Sequence, residues 1–302
     1  MNYSSTNPNP PAPGRLKVGV IGSGKVGVIL AAALRRVQHQ IIGVTSSTKT
    51  ENQERLEVLL PEVPILPAET ICATAELVII TVPDDQIKPV VAGLGALNAW
   101  RPGQIVAHFS GAHGLDALEA ASRAGALTLA LHLAMTFTGT SLDLARLEDC
   151  PAAVTASAVA QPIGQALLIE MGCLPQIVAD SQRKLYHAGL AHAANHLNTL
   201  VVQALQVLAE AGIAEPAGYL RPLVEAAAER ALTEGASGLT GPVRRADVAT
   251  LTAHLEALAA PSVKEIKLSY RELAAATANL AYANGQLSDA QYRAIHTALN
   301  AQ

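Results

Sequence analysis

Apolar positions in the first half of the chain fall into short unbroken runs, separated by stretches with helical spacing. Leu16 to Ile21 is a compact β-rich run that leads into glycines and then a helical pattern from about Val26 to Arg36. Ile41 to Thr45, Leu77 to Val82 and Gln104 to Phe109 read as further strands, and Leu127 to Leu131 and Ala152 to Thr155 add two more. Strands that are apolar throughout and alternate with helices predict a parallel sheet covered on both faces. Beyond Asp180 the pattern contains no strand. Ala/Leu-rich helices are expected at 181–211, 219–235, 246–258, 263–283 and 288–299, broken at Gly212, Gly235 to Pro242, Pro261 and Asn284-Gly285. The expected architecture is a doubly wound α/β domain over residues 15–179 and an all-helical domain over 180–302. The polar, proline-rich segment 1–14 reads as a disordered lead-in without the basic start or apolar run of a signal peptide.

Composition narrows the function classes. Of 302 residues 50% are hydrophobic, enough for one large core or two moderate ones. A formal net charge of −4 and an aromatic content of 3% argue against a nucleic-acid or anionic-membrane surface. No run approaches the roughly 18 apolar residues of a transmembrane helix. Cys72, Cys150 and Cys173 are far apart and unpaired in spacing. They suit neither a disulfide framework nor a zinc site, and no metal is expected. A cytoplasmic protein with a small-molecule substrate is the reading that fits.

The strongest motif is Gly22-Ser23-Gly24-Lys25-Val26-Gly27, which follows a predicted strand and opens a predicted helix. Gly22 permits the tight turn, Gly24 lets the backbone approach a pyrophosphate, and Gly27 allows close helix–strand contact. The bland alternative is a tight turn with no ligand. The end of the second strand distinguishes the cofactors. An NAD site places an acidic residue there for the ribose 2′-hydroxyl. Val44-Thr45-Ser46-Ser47-Thr48-Lys49 has no carboxylate, and its hydroxyls and lysine suit a 2′-phosphate. NADP(H) is therefore the expected cofactor, against the alternative of a solvated Ser/Thr loop.

Three further segments follow predicted strand ends, the edge where open α/β sheets bind ligands. They are Thr81-Val82-Pro83-Asp84-Asp85, His108 to Gly114 and His132 to Phe137. Val82, Pro83 and Asp84 are expected beside the cofactor, although an Asp there also serves as a helix N-cap. Ser110, His113 and His132 are candidates for bonding a substrate carbonyl or carboxylate. The long helix that opens the second half carries Tyr186-His187, Asn195 and Asn198. At 100° per residue His187, Asn195 and Asn198 fall within about 80° of one another, with Ala191 between them. His192 and His196 point elsewhere and read as solvated or structural.

Together TVPDD, HFSGAHG, LHLAMTF, the Tyr186-His187…Asn195 helix and Leu239 to Asp247 with Thr252 to Leu255 resemble one family. It is the family of Rossmann-like proteins that carry the helical domain of unknown function DUF2520. The resemblance runs from about Lys17 to Tyr270. Its members are similar in fold to pyrroline-5-carboxylate reductase, ketopantoate reductase and other β-hydroxyacid dehydrogenases, and to deazaflavin-dependent NADP reductases. The resemblance implies an NADP-binding domain, a helical domain that forms a homodimer, a substrate cleft and, in some members, ketopantoate reduction. The chain departs from the family pattern at four places. Ser47-Thr48 stands for arginine-serine, His132-Leu133 for histidine-proline and Arg245-Ala246-Asp247 for arginine-glycine-aspartate. Ala191 replaces the lysine that β-hydroxyacid dehydrogenases carry four residues before the asparagine.

The expected chemistry is hydride transfer from the nicotinamide to a carbonyl or imine carbon. His187 is the expected general acid, Asn195, Ser110 and His132 the hydrogen-bonding partners, and Arg244 or Arg245 the partner of a substrate carboxylate. An imine reductase of the pyrroline-5-carboxylate type and a non-catalytic NADP(H) sensor are the alternatives.

Overall fold

A computed structural model describes residues 14–47 and 49–301. Seven strands form one sheet: β1 (Lys17–Ile21), β2 (Gln40–Val44), β3 (Leu77–Ile80), β4 (Ile105–His108), β5 (Leu127–Leu133), β6 (Pro151–Ala156) and β7 (Leu174–Ile177). Their spatial order is β2-β1-β3-β4-β5-β6-β7. The first five are mutually parallel, in register from Val18 beside Leu77 through Leu77 beside Ile105 to Ile105 beside Leu127. The helices between them are α1 (Lys25–Arg36), α2 (Thr50–Leu59), α3 (Ala68–Thr74), α4 (Asp84–Ala96), α5 (Glu119–Arg123), α6 (Leu142–Ala145) and α7 (Gln161–Glu170).

Why the central strands read as continuous apolar runs is evident from their two faces. Leu77 and Ile79 join Val18, Val20, Leu129 and Leu131 in one buried cluster with α1. Val78 and Ile80 join Ile87, Val91 and Val106 in the other with α4. Successive residues point to opposite faces, and helices cover both, so no position faces water.

Two features depart from the expected pattern. β6 runs antiparallel to β5, with Leu133 opposite Ala152. The connection from 134 to 150 therefore stays at the C-terminal edge of the parallel strands. β7 was not legible because it is a short edge strand, mostly exposed and containing Pro175, which an edge tolerates.

The chain divides into compact units at Ala191/His192, inside the helix α8 (Arg183–Glu210). The remaining helices are α9 (Pro216–Glu234), α10 (Gly241–Arg244), α11 (Val248–Ala257), α12 (Lys264–Ala283) and α13 (Asp289–Asn300), close to the predicted spans. The core of the helical unit, with Val243, Leu251, Ala278, Ile295 and Leu299, is built by α10 to α13. Among the described residues no helix is long and apolar enough to cross a membrane. The lead-in at 1–13 and the 2′-phosphate candidate Thr48 lie outside the described residues.

Candidate functional site

The glycine loop lies where β1 and β3 end side by side, Ile21 pairing with Ile80. Gly22 has φ +111°, and a Cβ there would sit 2.6 Å from the Thr81 carbonyl carbon. Its amide donates to Thr45 Oγ1 at 2.9 Å and its carbonyl accepts from Thr81 Oγ1 at 2.7 Å. The turn is thus tied to the ends of both neighbouring strands. A Cβ on Gly27 would collide with the Gly22 carbonyl oxygen and Thr81 Oγ1, so α1 approaches the loop only because that position is glycine. Gly24 differs: a Cβ there would meet no protein atom within 4 Å. Gly24 is the N-cap of α1, without a side-chain cap and without an acidic residue in the first turn. Lys25 is exposed, Val26 half-buried and Ser23 buried. Uncapped amides, the positive end of the helix dipole and a lysine form an anion-binding arrangement.

The end of β2 adds a polar network. Ser47 Oγ accepts from Asn52 Nδ2 at 2.9 Å and from the Lys49 amide at 3.2 Å. Arg55 donates to Asn52 Oδ1 at 2.7 Å and to the Gly139 carbonyl at 3.0 Å. Gly139 in turn packs beside Lys25. Arg55, absent from the expected set, therefore brings a cation to this corner from α2. Ser46 and Lys49 are exposed. Next to them Thr45, Ser46 and Ile65 to Ala68 line a cavity of about 350 Å³.

Past β3, Val82 and Pro83 lead into α4, and Asp84 accepts from Ser110 Oγ at 2.8 Å. The same Ser110 oxygen accepts from the amides of Ala112 and His113, both at 3.3 Å. Its hydroxyl is engaged in ordering the loop. His108 is fully buried; its Nδ1 accepts from the Ser110 amide and its Nε2 donates to the Gly114 carbonyl at 3.0 Å. Burial is the main reason its pKa falls to about 4, assisted by Arg183 and His113.

Two segments far apart in sequence meet past β5. His132 Nδ1 bonds the Tyr186 hydroxyl at 2.9 Å, and its ring is edge-on to His187 with centroids 6.1 Å apart. A Cβ on Gly111 would come within 2.6 Å of His187 and 2.9 Å of His132, so glycine lets the three segments close together. Burial, then the charges of Arg183 and His187, push the His132 pKa down to about 4, while Asp84 pulls it up. Burial raises that of Tyr186. Arg183, the first residue of α8, is 1% exposed. It donates to the carbonyls of Ala130 (3.0 Å), Leu131 (3.4 Å) and Ser110 and to Thr155 Oγ1 (3.0 Å). Tyr186 stood in the sequence motif beside His187, but the signal for Arg183 was absent, since buried arginines are rare.

The structure thus gathers Ser110, His113, His132 and His187 with Asp84 at one sheet edge, the same edge as the glycine loop. Asn195 belongs to the helical unit and is exposed there. In that unit Arg244 donates to the Gln286 carbonyl at 3.2 Å and Arg245 is exposed. Ala246 adopts φ +54°, a conformation the family's glycine would take without strain.

Comparisons with known proteins agree with this architecture. Residues 3–133 match the Rossmann-like domain and residues 150–277 match DUF2520, a domain of unknown function. No curated protein sequence matches the chain significantly. Among solved structures, one from Bacteroides fragilis described as an NADP oxidoreductase has a TM-score of 0.72 at 20% identity, covering 87% of this chain and 98% of its own. An imine reductase from Myxococcus stipitatus in complex with NADP+ has a TM-score of 0.63 at 16% identity, covering 89% and 95%. An imine reductase from a Pseudomonas species has a TM-score of 0.62 at 18% identity, covering 93% and 100%.

Proposed function

Because the chain joins a Rossmann-like domain to DUF2520, we propose that it is an NADP(H)-dependent oxidoreductase that reduces a small carbonyl acid, of ketopantoate-reductase type. The observation that carries this reading is the shared sheet edge. A glycine loop with an open face at Gly24 and the Tyr186–His132–His187 cluster both lie at the C-terminal ends of parallel strands. That edge is where open α/β sheets take ligands.

NADPH, when bound, supplies the hydride. The residues from Gly22 to Gly27 hold the pyrophosphate against the N-terminus of α1. Ser46, Ser47, Thr48 and Lys49 receive the 2′-phosphate, with Arg55 linked to Ser47 through Asn52. Val82, Pro83 and Asp84 border the cofactor. His187 donates the proton to the acceptor atom, the role of general acid that histidine most often takes. His132 hydrogen-bonds the substrate, His113 lines it, and Ser110 orders the loop through Asp84. The unit up to Ala191 holds the dinucleotide, and the helical unit from His192 serves dimerisation.

A homodimer through the helical unit belongs to the same reading. Of α8 only Arg183 is buried, and α9 has no buried residue. Leu200, Val202, Tyr219, Leu223 and Leu232 on these helices are exposed. Light scattering should give twice the chain mass, and a monomer at micromolar concentration would refute the dimer.

The test of the reaction is NADPH oxidation against 2-keto acids and cyclic imines side by side, repeated with His187→Ala. Keto-acid turnover is expected, falling about 10²- to 10⁴-fold in the variant. Unchanged turnover removes His187 from the mechanism. Turnover of cyclic imines alone favours the second reading, imine reduction, for which the observation is that four of the matching solved structures are described as imine reductases.

A further inference from the structure

We propose that Arg183 is a positioning residue: its buried, unneutralised guanidinium fixes the first turn of α8 on the sheet edge and selects acceptors that gain negative charge. The site then takes a neutral or anionic carbonyl in preference to a protonated imine. This rests on the oxidoreductase reading above and names the device that sets its substrate class.

The geometry is that of a clamp. The pairing of β4 with β5 ends at His108 opposite Ala130, while β5 runs on to Leu133. At that step the guanidinium collects the carbonyls of Ala130 and Leu131, the Ser110 carbonyl after β4, and Thr155 Oγ1 of β6. One side chain therefore joins β5, β6 and the segment after β4 to the start of α8. Tyr186 and His187 are three and four residues further on, within the first turn, so their placement over His132 and Gly111 depends on it.

The charge is the second half of the argument. Among the described residues Arg183 makes no ion pair, and its buried Nε has no hydrogen-bond partner. A lysine in such a place would shed its proton, but arginine keeps its charge. Burying a cation held only by carbonyls and a hydroxyl is costly. Tyr186 and Asp180 act on it electrostatically without a bond to it, and Asp180 Oδ1 accepts from the Leu115 amide at 2.8 Å. The groups facing His132 are Tyr186, His187 and Arg183 on α8, and Asp84 on α4. Both His132 and His108 are held neutral down to about pH 4, by burial first and by Arg183 in addition, with the Asp84 carboxylate acting the other way. An iminium would meet the same resistance, whereas an oxygen becoming anionic as hydride arrives would be favoured.

The experiment uses the full chain saturated with NADP+, as wild type, Arg183→Met and Arg183→Lys. In imidazole-nitrogen NMR, His132 of the wild type should titrate near pH 4, and Arg183→Met and Arg183→Lys, both without the buried charge, should raise the midpoint by about one pH unit or more. With NADPH, the wild type should prefer a 2-keto acid to a cyclic imine. Arg183→Met should lose about a hundredfold in kcat on the keto acid, with KM moved far less, and Arg183→Lys, uncharged when so buried, should recover little of it. The proposal is overturned if wild-type His132 titrates near 6.5, if the wild type prefers the imine, or if Arg183→Met shifts neither midpoint nor preference. Where Arg183→Met does not fold, the Arg183→Lys midpoint and the wild-type acceptor preference keep the proposal open to refutation. If neither acceptor is reduced, the oxidoreductase reading fails separately, and the titration alone decides what Arg183 does to His132.

Discussion

The sheet edge carries two kinds of construction. At the ends of β1 and β3 the work is done by backbone: Gly22, Gly24 and Gly27 shape a loop whose amides and carbonyls face either the neighbouring strands or open space. At the ends of β4 and β5 it is done by side chains collected from distant parts of the chain, His132 with Tyr186, Ser110 with Asp84, and Arg183 beneath them. The first kind tolerates change in most side chains but in almost no glycine. The second kind depends on burial and charge, so pH acts on it directly.

The largest effect should come from adding a single methyl group to the backbone-built half. Gly22→Ala forces a left-handed conformation on alanine and drives its Cβ to 2.6 Å from the Thr81 carbonyl carbon. Strain and overpacking together should cost about 2–5 kcal/mol. Urea denaturation measures this, and a midpoint unchanged from wild type would show that the loop relaxes more freely than its contacts imply.

Acid should strike the side-chain-built half. His108 is neutral in the fold to about pH 4, whereas its unfolded value is near 6.5. On unfolding between those values it takes up a proton, so stability falls as pH drops through that window and is unaffected above it. The loss reaches roughly 3 kcal/mol by pH 4 for this residue. His132 is lowered in the same direction and adds to the slope. Chemical denaturation from pH 7 to 4 should show a shallower acid loss in His108→Gln than in wild type. Parallel curves would mean that another group carries the acid sensitivity.

These two halves were unequally legible in the sequence. The glycine loop, six of seven strands and the long helices follow from local periodicity and from residues with a fixed backbone meaning. β7 lacked an apolar run, and the reversal of β6 depends on the 134–150 connection, which has no periodic signature. Ser110, His113, His132 and His187 were visible as polar residues after strands or on a helix. Their partners were not. That Tyr186 bonds His132, 54 residues away, and that Arg183 reaches Ser110, 73 residues away, are consequences of topology. Arg55 was missed for the same reason: α2 and the loop at Gly139 meet only in the fold.

A smaller effect separates structure from chemistry at the junction of the halves. Ser110→Ala removes the bond to Asp84 and the oxygen that receives the amides of Ala112 and His113. It should cost about 1–3 kcal/mol of stability, because the loop is partly buried. NADPH affinity should change little, since the pyrophosphate contacts lie at Gly22 to Gly27. Loss of affinity comparable to that of a glycine-loop variant would tie Ser110 to the cofactor after all.

The smallest effect on stability should come from Gly24→Ala, and it tests the contrast most directly. Gly24 has φ −76° and ψ −171°, ordinary for alanine, and its Cβ would meet no protein atom within 4 Å. Folding therefore has no use for glycine here beyond a modest N-cap preference, and the change should cost less than about 1 kcal/mol. A pyrophosphate lying against the α1 amides does have a use for it, since the methyl group would stand in its path. Calorimetric titration with NADPH should show a Kd raised at least about tenfold, equivalent to about 1.4 kcal/mol. The ratio of lost affinity to lost stability is then the reverse of what strain at Gly22 predicts. A variant that is stable and binds NADPH as wild type does would remove the glycine loop from nucleotide binding, and with it the basis of the proposed function.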